Sequence, residues 1–342
     1  MKSVIALAKN KAFLNTAKIV LAVVLLAVVF RLVDWREVRR LFADMNWWYF
    51  AAALALQWVV IAIGNHRLQI LLRAQEVRLS YWRTLKYNCI GYFFNLALPG
   101  GTGGDVVKAV YVMRETKEKK AECVSVILLD RVMGLIAVVA IAALSLALTL
   151  KMSAEFRKLF PGVLVLLGLT AVGVVLVATK NYWRRYAWWR ALEARVPHVI
   201  RRMVNALHEY RAHKATLLLA LAESVVLQVI MCVIAWCFGL GLRLGLAWYL
   251  YFIIFPILTL IVTIPVTPSG LGVTEGAAAW CFKQVMREGG GSAGIAFMLL
   301  LRLLTVNMAL VGFVYWILPG THIRRDELEA EAARLGQSED AR

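Results

Sequence analysis

The chain has 342 residues, of which 61% are hydrophobic and 18% charged, whereas a soluble domain is about half apolar and about a quarter charged. Several stretches exceed the roughly 18 nearly uncharged residues that indicate a bilayer span, so the composition excludes an ordinary soluble protein and predicts an integral membrane protein. The formal net charge of +18 does not indicate nucleic-acid binding, because the basic residues lie between the apolar stretches, where they set orientation and meet anionic lipid head groups.

Six segments are apolar and long enough to cross the bilayer: 17–33, 47–64, 123–149, 160–179, 216–238 and 294–318. The first is interpreted as a retained span, because Arg31 stands where a signal peptide would need a small-residue cleavage site. Two further apolar segments, 84–98 and 246–265, run into stretches rich in proline and glycine.

A short helical run follows each of these two stretches, over 104–114 and 274–286. At about 1.5 Å per residue, neither run crosses the ~30 Å hydrocarbon core. We therefore predict two re-entrant hairpins, in which a helix enters the membrane, the chain turns at mid-depth and a half-helix returns to the same face.

The basic loops support this topology. Four lysines before residue 19 place the N-terminus in the cytoplasm. The basic segments 66–83, 114–120 and 180–214 share that side only if the hairpins are re-entrant. The segment 239–245, in which Arg243 is the single basic residue, then lies on the other side. Both termini are therefore expected in the cytoplasm.

The two predicted halves have the same order of elements: two spans, a re-entrant hairpin and a span. Residues 1–155 form the first membrane repeat and 156–320 a second, inverted repeat within one structural domain. The segment 180–214 is predicted to be a basic amphipathic cytoplasmic loop, and 321–342 a cytoplasmic tail. The predicted fold class is an all-α integral membrane protein with six full spans and two re-entrant helical hairpins in an inverted-topology repeat, an architecture of transporters.

The two glycine-rich stretches share one spacing. It is Pro-x-Gly-x-Gly with an acid within three residues: Pro99, Gly101, Gly103 and Asp105, then Pro268, Gly270, Gly272 and Glu275. Backbone that leaves the helix inside a bilayer must be sheltered by protein or line a watery cavity. The free N–H groups at the start of each half-helix favour anions, phosphate above all.

Charged side chains inside a bilayer are costly and usually functional. Arg131 and Arg302 each lie in the span after a hairpin, and we predict that they line a central cavity and bind a head-group phosphate or the facing acids. The predicted substrate-binding residues are Arg131, Arg302, Gly101, Gly103, Gly104, Asp105, Lys108, Gly270, Gly272, Thr274 and Glu275. Proton coupling or ion pairing is predicted for Asp105, Asp130, Glu223 and Glu275.

Structural roles for the same residues stay open at this point. They are helix capping by Asp105 and Thr274, ion pairs Asp105–Arg131 and Glu275–Arg302, contact of Glu223 with the interface, and outward snorkelling of Lys108. Asn95, one turn before Pro99, is also placed to bond unpaired backbone.

The five cysteines are scattered and mostly lie in apolar runs: Cys89, Cys123, Cys232, Cys237 and Cys281. Their spacing matches neither a disulfide framework nor a zinc site. We expect buried single thiols, and we expect no metal and no cofactor.

The two glycine-rich motifs, with Asn95 before the first and Arg67 ahead of Leu71-Leu72, resemble the flippase-like membrane domain of lysylphosphatidylglycerol synthases. The likeness spans nearly the whole chain. It implies movement of a lipid, often modified or glycosylated, between the leaflets of a bacterial or archaeal cytoplasmic membrane. Lys108 stands where this family suggests arginine, so a bidentate phosphate contact is not expected there.

The leading hypothesis is a lipid flippase or scramblase, not an enzyme, that moves an anionic or modified (aminoacylated or glycosylated) lipid through a mid-membrane polar cavity. Only a short tail follows Pro319, so any modification of the lipid is expected from a partner enzyme rather than from a synthase domain. Two alternatives stay open: an integral-membrane transferase acting on lipid-linked head groups, and an ion-coupled transporter of small anions.

Overall fold

The fold is helical throughout the part of the chain that the structure describes. The computed structural model describes residues 34–97, 103–116, 119–148, 165, 168, 210–263, 267, 270–286 and 288–317, and no strand occurs in these ranges. The helices are α1 (Trp35–Ala43), α2 (Trp47–Ala74), α3 (Tyr81–Ala97), α4 (Gly103–Arg114), α5 (Lys120–Leu148), α6 (Lys214–Gly241), α7 (Trp248–Thr263), α8 (Val273–Val285) and α9 (Gly290–Ile317). A 3-10 turn, Tyr210–His213, leads into α6.

Four of the described helices, α2, α5, α6 and α9, are long and apolar enough to cross a membrane. They confirm the helices predicted over 47–64, 123–149, 216–238 and 294–318, and with them the all-α class. The predicted spans 17–33 and 160–179, the loop 180–214 up to residue 209, and the tail 321–342 lie outside the described residues, apart from the helical positions 165 and 168.

The short helices of both predicted hairpins are also present. The apolar segments 84–98 and 246–265 correspond to α3 and α7, and the half-helices 104–114 and 274–286 correspond to α4 and α8. Their re-entrant path through a bilayer stays a prediction.

Helix α2 continues past the predicted span 47–64, to Ala74. The polar side chains that follow this span are bonded inside the protein. Asn65 Nδ2 donates to the Tyr81 carbonyl over 3.1 Å, and Gln69 Nε2 donates to the Leu79 carbonyl over 2.9 Å. Satisfied polar groups can be buried at low cost, so the helix continues past its apolar stretch.

Helix α1 was not predicted. Its signal is Asp34, whose carboxylate accepts hydrogen bonds from the backbone N–H groups of Arg36 at 2.9 Å and Glu37 at 3.4 Å, as an N-cap residue does. Val38 is buried, and α1 packs against α9.

The two halves match closely in their helices. α2 to α5 contain 28, 17, 12 and 29 residues, and α6 to α9 contain 28, 16, 13 and 28. The loops after α2 and α6 also agree: Glu76 and Arg243, each two residues past its helix, have φ values of 56° and 54°. In both loops the next N–H bonds the carbonyl five residues back, at 3.0 Å, which is a left-handed helix end. This repetition is consistent with the predicted structural repeat.

Packing runs crosswise between the halves. α2 and α6 contact each other extensively, α3 packs on α9, and α7 packs on α5. An aromatic cluster of Phe238, Tyr251, Phe282 and Phe297 fills the core of the second half. The five cysteines are free and buried, as predicted.

The contact between α3 and α9 yields a stability prediction. A Cβ added at Gly312 would collide with the Cys89 carbonyl, so Gly312→Ala is expected to destabilise the protein by about 1–3 kcal/mol through overpacking. Gly276→Ala is the matched control, since nothing lies within 4 Å of a Cβ there. Melting in detergent should place Gly312→Ala below the wild type and Gly276→Ala at or above it; equal melting of all three would contradict this contact.

Candidate functional site

A cavity of about 520 Å³ lies among α2, α3, α4, α5 and α6, with Thr259 of α7 at its edge. Its polar lining includes five charged side chains: Arg67, Asp105, Lys108, Asp130 and Arg131. Because polar and charged groups are expensive inside a bilayer, a cavity of this kind within membrane-spanning helices is the leading candidate for a ligand site.

The charged side chains form one continuous chain of contacts. Arg67 Nε bonds Asp130 Oδ1 at 2.8 Å, and both side chains are about nine-tenths buried. Lys108 Nζ lies 3.9 Å from Asp130 Oδ2 and 3.5 Å from Asp105 Oδ1. The guanidinium of Arg131 binds the other oxygen of Asp105. Three cations therefore share two carboxylates.

Lys108 points inward, which corrects the alternative that it snorkels outward. It is only 7% exposed, because α4 turns this side chain toward Asp105 and Asp130 instead of toward the membrane surface. An ammonium group placed between two carboxylates offsets the cost of its burial.

Neutral side chains hold the network in place. Ser224 Oγ accepts a hydrogen bond from Arg67 Nη1 at 2.7 Å. Asn88 Nδ2 donates to Asn65 Oδ1 at 2.9 Å, which ties α3 to α2. Asn95 Oδ1 accepts from the N–H of Gly104 at 2.9 Å, so the bond to loose backbone predicted for Asn95 is confirmed, and it caps α4.

Arg131 is the accessible end of this network. Its side chain is 51% exposed, compared with 11% for Arg67 and 9% for Lys108. It lies about 5 Å from the middle of the apolar span Glu122–Ala147, at ~1.5 Å per residue. The cavity therefore presents a half-exposed guanidinium close to the middle of a membrane-spanning helix.

The second half contains the equivalent ion pair in a closed form. Arg302 donates to Glu275 Oε1 from Nη2 at 2.8 Å and from Nε at 3.0 Å, and its side chain is 22% exposed. Glu275 Oε2 accepts from the Gly272 N–H at 2.7 Å, at the start of α8. Glu275, not Thr274, thus caps this helix.

Thr274 completes that closed pair. Its hydroxyl donates to the Gly270 carbonyl at 2.9 Å and lies 3.3 Å from Arg302 Nη2. These bonds hold Arg302 against α8, and neither Arg302, Thr274 nor Glu275 lines the cavity described above. The structure thus forms both expected ion pairs. The sequence predicted that Arg131 and Arg302 line one central cavity, but only Arg131 lines the cavity described above.

The glycines of the two motifs serve backbone geometry. Gly270 and Gly272 have φ values of 69° and 80°, which favour glycine. Gly104 is buried against Gly91 and Asn95, with no room for a Cβ, and Gly103 begins α4. Gly101 lies outside the described residues.

Glu223 pairs with a half-exposed histidine. Its Oε1 lies 2.6 Å from His66 Nδ1, and its Oε2 is buried with no hydrogen-bond partner among the described residues. His66 and Glu223 immediately precede Arg67 and Ser224 in sequence. The carboxylate proposed for proton coupling therefore lies beside the charge network.

Sequence reasoning missed several lining residues: Asn65, Asn88, Tyr92, Gly134, Ser224 and Gln228. Arg67 was noted only as part of a family motif. Polar residues within apolar helices are the signal that could have found most of them, whereas Gly134 carries no such signal. Among the described residues, no group of three or more His, Cys, Asp or Glu side chains is arranged to hold a metal ion.

Comparison with known proteins gives one match. The family model described as "Lysylphosphatidylglycerol synthase TM region" matches residues 15–312, which confirms the resemblance that the glycine-rich motifs indicated. No curated protein and no solved structure matches the chain. The match covers most of the chain and every lining residue of the cavity.

The Arg67–Asp130 pair yields a second prediction. Asp130→Asn leaves a buried guanidinium without its charge partner, so we expect a loss of about 3–5 kcal/mol of unfolding free energy. The double variant Arg67→Met, Asp130→Leu removes both charges and should recover much of that loss. Unfolding of both variants in mixed detergent micelles measures this, and a double variant less stable than Asp130→Asn would contradict the pairing.

Proposed function

Since this chain belongs to the family of lysylphosphatidylglycerol synthase transmembrane regions, we propose that it is a lipid flippase or scramblase. It moves an anionic or modified lipid between the leaflets of a cytoplasmic membrane, with both termini on the cytoplasmic side. The family supports a role connected with membrane lipids, and the helices support a multi-pass membrane protein. The transport activity itself is our proposal.

The observation that carries it is the half-exposed Arg131 in a polar cavity at mid-span. A lipid that crosses the bilayer must bring its phosphate past the hydrocarbon core, where a charge costs several kcal/mol without a partner. Guanidinium groups bind phosphate through paired, charge-assisted hydrogen bonds. Arg131 is placed to supply that contact where the cost is highest.

The charge network suggests how a phosphate binds and leaves. In this mechanism the phosphate displaces Asp105 from Arg131, and Lys108, 3.5 Å from Asp105 Oδ1, keeps that carboxylate paired. The N-terminus of α4 lies beside the same aspartate and favours the added negative charge. The acyl chains stay in lipid while the head group passes through the cavity.

The sequence contains no GxxxxGK[ST] nucleotide motif, so we propose that movement is downhill or driven by protons. Asp105, Asp130, Glu223 and Glu275 are the acids available for protonation. A lipid-modifying enzyme is the expected partner, because in this proposal the chain relocates a lipid without converting it.

Lipid movement in proteoliposomes tests the proposal. Arg131→Ala is expected to slow translocation of phosphate-bearing lipids by about tenfold or more, since a charged hydrogen bond contributes roughly 1.5–3 kcal/mol. Arg131→Lys should retain more activity, because it keeps the charge but loses the bidentate contact. Arg302→Ala is expected to lower the melting temperature. The protein that remains folded should translocate lipid at close to the wild-type rate.

Each variant is compared at equal amounts of folded protein, judged by gel filtration before reconstitution. Wild-type vesicles that convert the lipid instead of moving it would support the transferase alternative. Uptake of free phosphate without lipid movement would support the anion transporter. Unchanged lipid movement by Arg131→Ala would remove the assigned role of this residue.

A further inference from the structure

Close packing requires some of the glycines in the described helices but not others. Gly104, Gly294 and Gly312 lie where a Cβ would collide with a neighbouring backbone, so close packing requires them. Gly134 is different, because nothing lies within 4 Å of a Cβ built there, and at Gly64 the nearest atom is Leu227 Cδ1 at 3.9 Å. Packing does not explain these two glycines.

Gly64 and Gly134 both line the cavity, whereas Gly276, where a Cβ would be equally free, does not. Gly64 is on α2, and Gly134 is on α5, three residues after Arg131. Glycine is less favourable than alanine in a helix, so each of these glycines lowers the stability of its helix and leaves space beside it. At Gly134 that space begins one helical turn from the guanidinium that we assign to the phosphate.

Gln228 contributes an amide side chain to the lining of the same cavity. Its side chain is only 7% exposed and lines the cavity. Its Nε2 group is buried, and no oxygen or nitrogen atom of the described residues accepts a hydrogen bond from it. The sulfur of Cys232, one turn further along α6, is close to it but is a weak acceptor. A buried amide donor in this state favours a ligand oxygen.

The charges limit what that ligand is. Arg67, Lys108 and Arg131 against Asp105 and Asp130 give the described lining a net charge of +1. Both carboxylates are already paired with cations. The lining therefore favours a negative head group over a cationic one.

We propose that this cavity selects a phosphodiester lipid whose phosphate bears a bulky, uncharged, hydroxyl-rich group. The phosphate binds Arg131, the substituent fills the space beside Gly134 and Gly64, and one of its oxygens accepts from Gln228. This inference rests on the proposed transport function and specifies its substrate class.

Translocation of three lipids, each with a fluorescent acyl chain and a native head group, tests the selection. Phosphatidylinositol carries a bulky polyol, phosphatidylglycerol a small one, and lysylphosphatidylglycerol a cationic group. We expect the wild type to move phosphatidylinositol fastest. Gly134→Leu should slow phosphatidylinositol by about tenfold and phosphatidylglycerol by less, because the added side chain takes the space of the larger head group and overpacking costs roughly 1–3 kcal/mol.

Gly276→Leu is the matched control, because its Cβ is equally free and Gly276 does not line this cavity. Gly134→Ala provides a smaller change that favours the helix, and Gln228→Leu should slow phosphatidylinositol more than phosphatidylglycerol. Equal slowing of all lipids by Gly134→Leu, or fastest movement of lysylphosphatidylglycerol by the wild type, overturns the selection and leaves the transport function standing. No movement of any lipid by folded wild-type protein overturns the transport function, and the selection with it.

Discussion

The cost of an unpaired charge in a bilayer is the constraint on which the described structure depends. Arg67 and Asp130 are 63 residues apart in sequence and lie on different helices, and they meet at 2.8 Å with both side chains mostly buried. Together with the hydrogen bonds of Asn65 and Gln69, this contact pairs polar groups in the part of α2 that continues past the predicted span. It also fixes one carboxylate against which Lys108 is held. The accessible residue, Arg131, is linked to these buried contacts through Asp105 and Lys108, so the charges that pair with one another also hold the site in place.

The two halves contain the same kind of ion pair, but the arginine is half exposed in the first half and mostly buried in the second. In each, an acid near the start of a short helix pairs with an arginine in the following span. In the second half Glu275 also caps its helix and Thr274 adds a contact to Arg302, which leaves this arginine mostly buried. In the first half Asn95 caps the helix instead, so Asp105 is left for Lys108 and Arg131. A single change in which residue caps the helix thus separates a closed pair from an exposed one.

Hydropathy and motif spacing were sufficient to predict most of the described helices, because both are local properties of the sequence. The four apolar spans and the short helices beside the glycine-rich stretches follow from them. Longer-range pairing was not accessible in the same way. Glu223 and His66 are 157 residues apart, and nothing near either residue predicts their contact at 2.6 Å. Arg302 likewise lies outside the cavity because α9, which carries it, contributes no residue to the lining, and the packing of helices is not a local property of the sequence.

A transported ligand must be bound well enough to enter a site and weakly enough to leave it. A lone guanidinium in a dry membrane cavity would hold a phosphate too firmly, since charge-assisted hydrogen bonds strengthen as water is excluded. Asp105 changes this balance because it already occupies Arg131. In the proposed mechanism, binding exchanges one anion for another, and Lys108, 3.5 Å from Asp105, keeps the displaced carboxylate paired during the exchange. The Asp105 carboxylate repels a phosphate bound beside it. In this mechanism the same carboxylate allows the head group to leave, because it returns to Arg131.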